Sequence, residues 1–330
     1  MMTVSNVINE RTARVSVDTR VRILETIEEL GYRPQRSGRS LRMQREYSIG
    51  LTIVRPDRRF LDDPYATEIA AGMSNELARG GYGLMVNGVP DPDALRTTVG
   101  QVSNVDAIAV MASGPRPLRD EVYRLLERLH HPLAVIQDDV PDLTDSCCFI
   151  QDDEAGGRMI AEALIAAGAR RLLFVAPDAD WPAIERREAG VRAAATIGGA
   201  DVAAVRCNEN DFAGIKNAIL ARFDAEGVPD AIIGGNDQIG IAAIHAAADR
   251  GLRVPDDLMA TGFNAFPFRQ FTKPLISSVT SPAYALGEAV AHGLLARLET
   301  GRFAEVRRVL PVQPAPGETI RATADDRTAQ

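Results

Sequence analysis

DAIIGGNDQIGIAAIHAAADRGLRVPDDLMATGFNAF, residues 230–266, decides the architecture of this chain. DAIIGG (230–235) is a short apolar run closed by glycine, and LMATGF (258–263) is a second. Between them lies a long alanine- and isoleucine-rich helical stretch. Strand, helix and strand at this spacing read as one βαβ unit, and βαβ units build parallel sheets. GGNDQIG (234–240) matches neither GxGxxG nor GxxxxGK[ST], and no lysine stands by to grip a phosphate, so it is a poor nucleotide signature.

The same alternation extends outward on both sides. SIGLTIV (48–54) precedes a helix predicted around 65–79, and YGLMVN (82–87) precedes one in the nineties. DAIAVMA (106–112) precedes a helix around 117–129, and LAVIQ (133–137) closes this half. RLLFVA (171–176) and DVAAV (201–205) continue the pattern toward 230–266. There are too many strands for one compact sheet, and two Rossmann-like sheets of about five or six strands each fit the length. The tail from Gln313 is rich in Pro, Thr, Ala and charge and is expected to fray.

The N-terminal segment has a different texture. Ser16 is placed to cap a helix, Asp18 favours its positive end, and Val17, Val21, Leu24, Ile27 and Leu30 form one apolar stripe. Gly31 and Pro34 stop it. Arginine then recurs at 33, 36, 39, 42 and 45 with no acid between and Leu41 in the middle. The net charge of the 330-residue chain is −8, yet residues 1–47 hold nine arginines against six acids, +3, and the remainder holds 28 basic against 39 acidic residues, −11. An acidic body therefore carries a basic arm. Lys216 and Lys273 are the sole lysines, so the positive charge is almost all arginine.

Composition narrows the function classes. With 45% apolar and 25% charged residues and a mean hydropathy of −0.09, the chain reads as globular rather than disordered or fibrous. No apolar run has the length of a membrane span, and the first residues have no signal-peptide pattern, so a cytoplasmic protein without membrane partners is expected. Cys147, Cys148 and Cys207 read as buried, reduced thiols, and neither they nor the four histidines have metal-site spacing. The clusters Asp62–Asp63 and Asp152–Asp153–Glu154 fit helix caps and solvated loops better than metal sites. No nucleophile–base arrangement with motif support is present, so neither a catalytic residue nor a cofactor is assigned. A polar cleft is expected instead beyond the carboxyl ends of the strands. Tyr65, Asp138, Arg187, Phe212, Asn236 and Asn264 offer hydrogen bonds and aromatic faces to a polyhydroxylated or heterocyclic ligand.

Taken together, these segments resemble the lac repressor/gal repressor family of transcription regulators along nearly the whole chain. TVSNVIN (3–9) resembles the family's recognition helix, and VSVDTRVRILETIEELGYRPQRSGRSLR (15–42) its third head helix and hinge. GGNDQIG…GFNAF (234–266) and TKPLISSVTSPAYALGEAVAHGLL (272–295) resemble its ligand segment and the return to the first subdomain. The resemblance implies an α/β fold of two periplasmic-binding-protein-like Rossmann subdomains with three crossovers, preceded by a partial all-α helix-turn-helix head and a hinge helix. The head would span 1–34, the hinge 35–47 and the core 48–330. Within the core, one subdomain would comprise about 48–149 and 283–305, and the other about 150–281 and 306–325.

The resemblance further implies a homodimer that binds operator DNA and a sugar-like small-molecule effector. Met1, Met2 and Asn6 would face base edges, and Thr3, Ser5 and Asn9 would hold phosphates. Leu41 would wedge into the minor groove. Arg187, Phe212, Asn236, Asn264 and Tyr65 would line the effector site, with Asp138 nearby and Asp237 capping the helix after Asn236. Gly38 stands where the family usually has alanine, which weakens a hinge helix by about 0.5–1 kcal/mol.

The implied function is a ligand-responsive repressor. The alternatives are a ligand sensor without direct DNA binding and a solute-binding protein of the same core fold. Met1 stands where the family's recognition helix begins, so a start codon assigned to an internal methionine is the expected explanation. Mass spectrometry of the native N-terminal peptide checks this. A peptide extending upstream into a first head helix is the expected outcome, and a native start at Met1 would favour the sensor.

Overall fold

The computed structural model describes residues 3, 4, 7, 15–30, 45–57, 59–140 and 142–322. The chain divides into two units, Met1–Glu46 and Tyr47–Gln330. In the first, α1 (Val17–Glu29) starts as its sequence predicts: the Ser16 hydroxyl accepts the Thr19 N–H at 3.3 Å and Asp18 sits in the first turn. Its stripe residues Val17, Val21, Leu24 and Leu30 are exposed.

The second unit is an α/β core. Its elements run β1 (Ser48–Val54), α2 (Pro64–Arg79), β2 (Gly83–Val89), α3 (Pro92–Val102), β3 (Ala107–Ala112), α4 (Arg116–Glu127), β4 (Leu133–Ile136) and β5 (Ser146–Gln151). They continue α5 (Asp153–Ala166), β6 (Arg171–Pro177), α6 (Pro182–Gly198), β7 (Asp201–Cys207), α7 (Phe212–Glu226), β8 (Ala231–Gly234), α8 (Asp237–Asp249) and β9 (Met259–Thr261). β10 (Ser278–Thr280), α9 (Ala283–Thr300), β11 (Arg307–Leu310) and β12 (Gln313–Ala315) complete the core.

Two parallel sheets result, one ordered β11-β5-β4-β3-β1-β2 and the other β7-β6-β8-β9, and β10 and β12 form an antiparallel ribbon. Helices cover both faces of each sheet, which is why strands such as β1 and β3 are buried from end to end rather than alternating. In the first lobe, Ile49, Leu51 and Ile53 pack on one face with Ile69, Met73 and Leu286, while Val54, Ile108 and Val110 pack on the other with Leu95, Val102 and Tyr123. In the second lobe, Phe174 and Ile233 face Val191, and Val175 and Ile232 face Ile215 and Ile219. Each fully buried side chain of this size contributes about 1.5–3 kcal/mol.

In each sheet the strand order reverses beside the first strand, between β1 and β3 and between β6 and β8. Loops diverge at such a point and leave a crevice at the carboxyl ends. The chain passes between lobes after β5, between β10 and α9, and between β11 and β12. The third passage falls later than the expected 305–306. β11 pairs in parallel with β5, so Arg307–Leu310 belong to the first lobe. An exposed edge strand beginning Arg-Arg has no apolar pattern to reveal it. β5, SCCFIQ, also escaped the pattern reading, because it follows β4 with no crossover helix between. Its cysteines and Cys207 are buried free thiols, and burial pushes Cys147 up to about 12 and Cys207 to about 11. Among the described residues, no helix is long and apolar enough to cross a membrane, and no group of three or more His, Cys, Asp or Glu could hold a metal.

Reciprocal glycine contacts pack one helix pair in each lobe. A Cβ on Gly72 of α2 would lie 2.1 Å from the Tyr284 carbonyl oxygen of α9, and one on Gly287 2.2 Å from that of Ile69. In the second lobe, a Cβ on Gly157 of α5 would lie 2.1 Å from the Arg187 carbonyl oxygen, and one on Gly190 of α6 2.0 Å from that of Glu154. Backbones this close have no room for a methyl group. Gly190→Ala is therefore expected to lower core stability by about 1–3 kcal/mol. Gly100→Ala in α3, where an added Cβ meets nothing within 4 Å, should raise it by about 0.4–1 kcal/mol. Urea denaturation of the two variants measures both signs.

Candidate functional site

A cavity opens between the lobes at the carboxyl ends of both sheets. The first lobe contributes Asp63, Tyr65, Met111 and Gln137 to its wall, and the second contributes Trp181, Ile184, Arg187, Glu209, Asn236 and Asn264, among others.

Arg187 is the centre of the second-lobe wall. α6 starts at Pro182, whose fixed φ suits a first helical position, and the glycine contact with α5 turns Arg187 inward. Its Nε donates to Asp153 Oδ1 at 2.9 Å, Nη1 to the Gly235 carbonyl at 2.6 Å and Nη2 to Asn264 Oδ1 at 3.2 Å. The guanidinium lies 3.7 Å from the centre of the Phe263 ring. Asp153, fully buried in the first turn of α5, also accepts from Gln151 Nε2 at 2.6 Å and from Arg186 Nη2 at 3.2 Å. Helix dipole, two guanidinium groups and a side-chain amide together hold this buried charge.

Asn264 and Ala265 have φ of 98° and 53°. Asparagine visits this left-handed region more readily than most residues, and the neighbouring backbone holds it there. The Asn264 N–H donates to the Val279 carbonyl, and its carbonyl accepts from the Ser281 N–H. Asn236 caps α8 through Oδ1, which accepts the Ile239 N–H at 2.9 Å, while Nδ2 donates to Glu209 Oε2 at 2.8 Å. The cap expected of Asp237 thus falls to Asn236. Asp237 is instead buried, with its carboxylate accepting from the Phe266 N–H at 2.9 Å and the Ser278 hydroxyl at 2.5 Å. Burial pushes Asp237 up to about 6.

In the first lobe, Asp63 caps α2 by accepting the Tyr65 N–H at 2.9 Å. The Tyr65 hydroxyl accepts from Gln137 Nε2. Gln137 in turn accepts from Arg186 Nη2 through its carbonyl at 2.8 Å and its Oε1 at 3.1 Å, tying the lobes together.

Four of the six expected ligand residues, Tyr65, Arg187, Asn236 and Asn264, line the cavity, and two do not. Asp138 is turned away into a buried ion pair with Arg119 at 3.1 Å and accepts the Tyr123 hydroxyl at 2.9 Å. Phe212 heads α7 on the surface, 44% exposed, with its ring edge-on to His245. Trp181 supplies the aromatic face in the cavity instead. Trp181, Gln137 and Glu209 escaped the sequence reading because each sits in a loop or helix lead-in without a motif. Asp63 was visible only as a cap. Of the expected DNA contacts, Thr3 is exposed in helical backbone, and Met1, Met2, Ser5, Asn6, Asn9 and Leu41 lie outside the described residues.

The comparisons with known proteins agree with this layout. The profile described as "Bacterial regulatory proteins, lacI family" matches residues 1–35, and "Periplasmic binding protein-like domain" matches 161–320. The chain thus joins a segment that matches the lacI-family model to a core that matches the periplasmic-binding-protein-like model. The chain is 27% identical to the transcriptional repressor PurR of Aliivibrio fischeri over 319 residues, covering 94% of this chain and 91% of that one. It is 28% identical to catabolite control protein A of Priestia megaterium, covering 90% and 88%. Among solved structures, the fold superposes on a lac repressor dimer bound to operator with a TM-score of 0.84 at 22% identity, covering 97% of this chain and 95% of that one.

The buried carboxyls of this core make its stability depend on pH. Burial, and then the nearby Asp63 charge, push Glu209 from its ordinary 4.5 to about 7. A folded-state pKa raised in this way means that the native protein binds the proton more tightly than the unfolded chain. The contribution is fully present below pH 4.5 and is lost as pH rises through about 7. Asp237 acts in the same sense up to about 6. The thermal midpoint is therefore expected to fall between pH 5 and 7.5, and Glu209→Gln should flatten the upper part of that fall. Calorimetric melts across this range check the sign.

Proposed function

We propose that this protein is a ligand-responsive repressor that binds operator DNA as a homodimer and senses a sugar-like small molecule in the inter-lobe cleft. One observation carries this reading: a lacI-type DNA-binding segment at 1–35 and a two-lobed core with a cavity lined by polar and aromatic side chains occur on a single chain. The related regulator CelR has been solved with cellobiose, and another LacI-family regulator with ribose, both polyhydroxylated ligands. The cavity of this chain offers matching chemistry. Asn236, Asn264 and Arg187 present fixed donors and acceptors, and Trp181 and Tyr65 present aromatic faces.

The mechanism follows from the two lobes. An effector that touches both walls favours one inter-lobe angle, and an angle change is passed to the 35–47 hinge. Asn6 pairs with adenine, Met1 and Met2 make apolar base contacts, Thr3, Ser5 and Asn9 hold phosphates, and Leu41 enters the minor groove. Two heads in a dimer read a palindrome. A DNA target places the protein in the cytoplasm. No catalytic step, cofactor or membrane is part of this reading.

The test is operator selection with the native full-length protein, followed by binding titrations at several salt concentrations. A log–log affinity slope of about −0.9 per phosphate neutralised is expected. Leu41→Ala should weaken the selected operator by at least about tenfold while leaving random DNA nearly unchanged. Release or tightening by one member of a panel of mono- and disaccharides completes the picture. Equal affinity for all sequences, or conversion of a sugar by the protein, would overturn it.

A further inference from the structure

The charge around the cavity is unevenly distributed. At its inner wall, Arg187 and Arg186 share the single buried carboxylate of Asp153. Asp63 of the first lobe and Glu209 of the second also face the cavity. Behind them stands one buried guanidinium, Arg55. It lies 3.8 Å from Asp63 Oδ2, 3.7 Å from Glu209 Oε1 and 3.9 Å from Asp57 Oδ2. None of these distances is a hydrogen bond, and one positive charge is divided among three negative ones. Arg55 itself does not line the cavity.

The lobes therefore bring two carboxylates together with too little positive charge between them. The donors on them are neutral: the Tyr65 and Ala66 N–H groups on Asp63, and the Asn236 amide and the Trp181 side chain on Glu209. The Arg55 guanidinium is the cation shared by both, beyond hydrogen-bond distance of either. Like charges this close repel in a low-dielectric cleft, and both carboxyls are held above their ordinary range, chiefly by burial. A cation between them removes that penalty and forms charge-assisted hydrogen bonds to both lobes at once. Trp181 also lines the cavity, with its ring 5.7 Å from the Arg55 guanidinium. An anionic group at this end would meet two carboxylates.

We propose that the effector is a polyhydroxylated molecule carrying a basic amino group, with the ammonium seated between Asp63 and Glu209 and its hydroxyls against Arg187 and Asn264. This rests on the reading of the cleft as the effector site. The amine then bridges the lobes, so it acts on closure as well as on affinity.

The experiment is calorimetric titration and thermal shift on the full-length protein. The probes are common hexoses and pentoses, their 2-amino-2-deoxy counterparts and their phosphates. An amino sugar is expected to bind at least about tenfold more tightly than its neutral counterpart, and phosphates should not bind. In Glu209→Gln and Asp63→Asn, which keep the shape, the ratio of amino-sugar to neutral-sugar affinity should shrink to within about threefold. Neutral sugars binding as tightly as their amino counterparts, or phosphates binding best, would overturn this proposal and leave the sugar-sensing reading standing. No shift with any carbohydrate would overturn both.

Discussion

Asp153 is fully buried at the start of α5, and the guanidinium of Arg187 faces it at 2.9 Å. A carboxylate in that position is tolerable only while its partners stay in place, since removing one side of a buried pair typically costs about 3–5 kcal/mol. Most of the cleft follows from this constraint. Arg187 must point inward, so α6 must lie close on α5, so Gly157 and Gly190 must lack side chains. With Arg187 fixed, its remaining donors hold the Gly235 carbonyl and Asn264. Those are the ends of β8 and of the turn after β9. Gln151 joins Asp153 to Ser281, which leads the chain back into the first lobe. One ion pair thus coordinates both strand ends of the second lobe and two of the passages between lobes.

The contrast between the cavity walls follows from how each lobe meets the other. In the second-lobe wall Arg187 and Asn236 are held in place by hydrogen bonds within that lobe. The seam between lobes is held by fewer contacts. Arg186 reaches Gln137, Arg119 reaches Glu185 at 3.0 Å, and Asn210 reaches Asp57 at 2.8 Å. These are polar and partly exposed, and exposed polar contacts contribute little each. A regulator needs this arrangement: a preformed binding wall beside a seam that a ligand can bias. The poorly compensated carboxylates of Asp63 and Glu209 lie on that seam.

Much of the fold was legible. Parallel strands buried on both faces read as continuous apolar runs, and β1, β3, β6 and β8 were visible for that reason. Two helix caps were in plain view as well, Ser16 in the head segment and Asp63 after β1. The strands that escaped are those whose identity lies in a partner. β5 and β11 look like loop until each is paired with its neighbour. The site was partly legible, because Arg187, Asn236 and Asn264 lie in segments with recognisable texture. Trp181, Glu209 and Gln137 stand in short connections, where a residue's role depends on which loop from the other lobe arrives opposite.

By itself, the sequence determined the βαβ alternation, two sheets, a basic arm on an acidic body and the likeness to a regulator family. Periodicity, capping and local charge are properties of neighbouring residues, so a linear reading recovers them. Only the tertiary structure decided which polar residues meet. It turned Asp138 away into a pair with Arg119, left Phe212 on the surface and put Trp181 in the cavity. It also set Asp63 against Glu209 from opposite lobes around a single Arg55. Contacts between residues more than a hundred positions apart depend on how two sheets dock, and no local pattern encodes that docking.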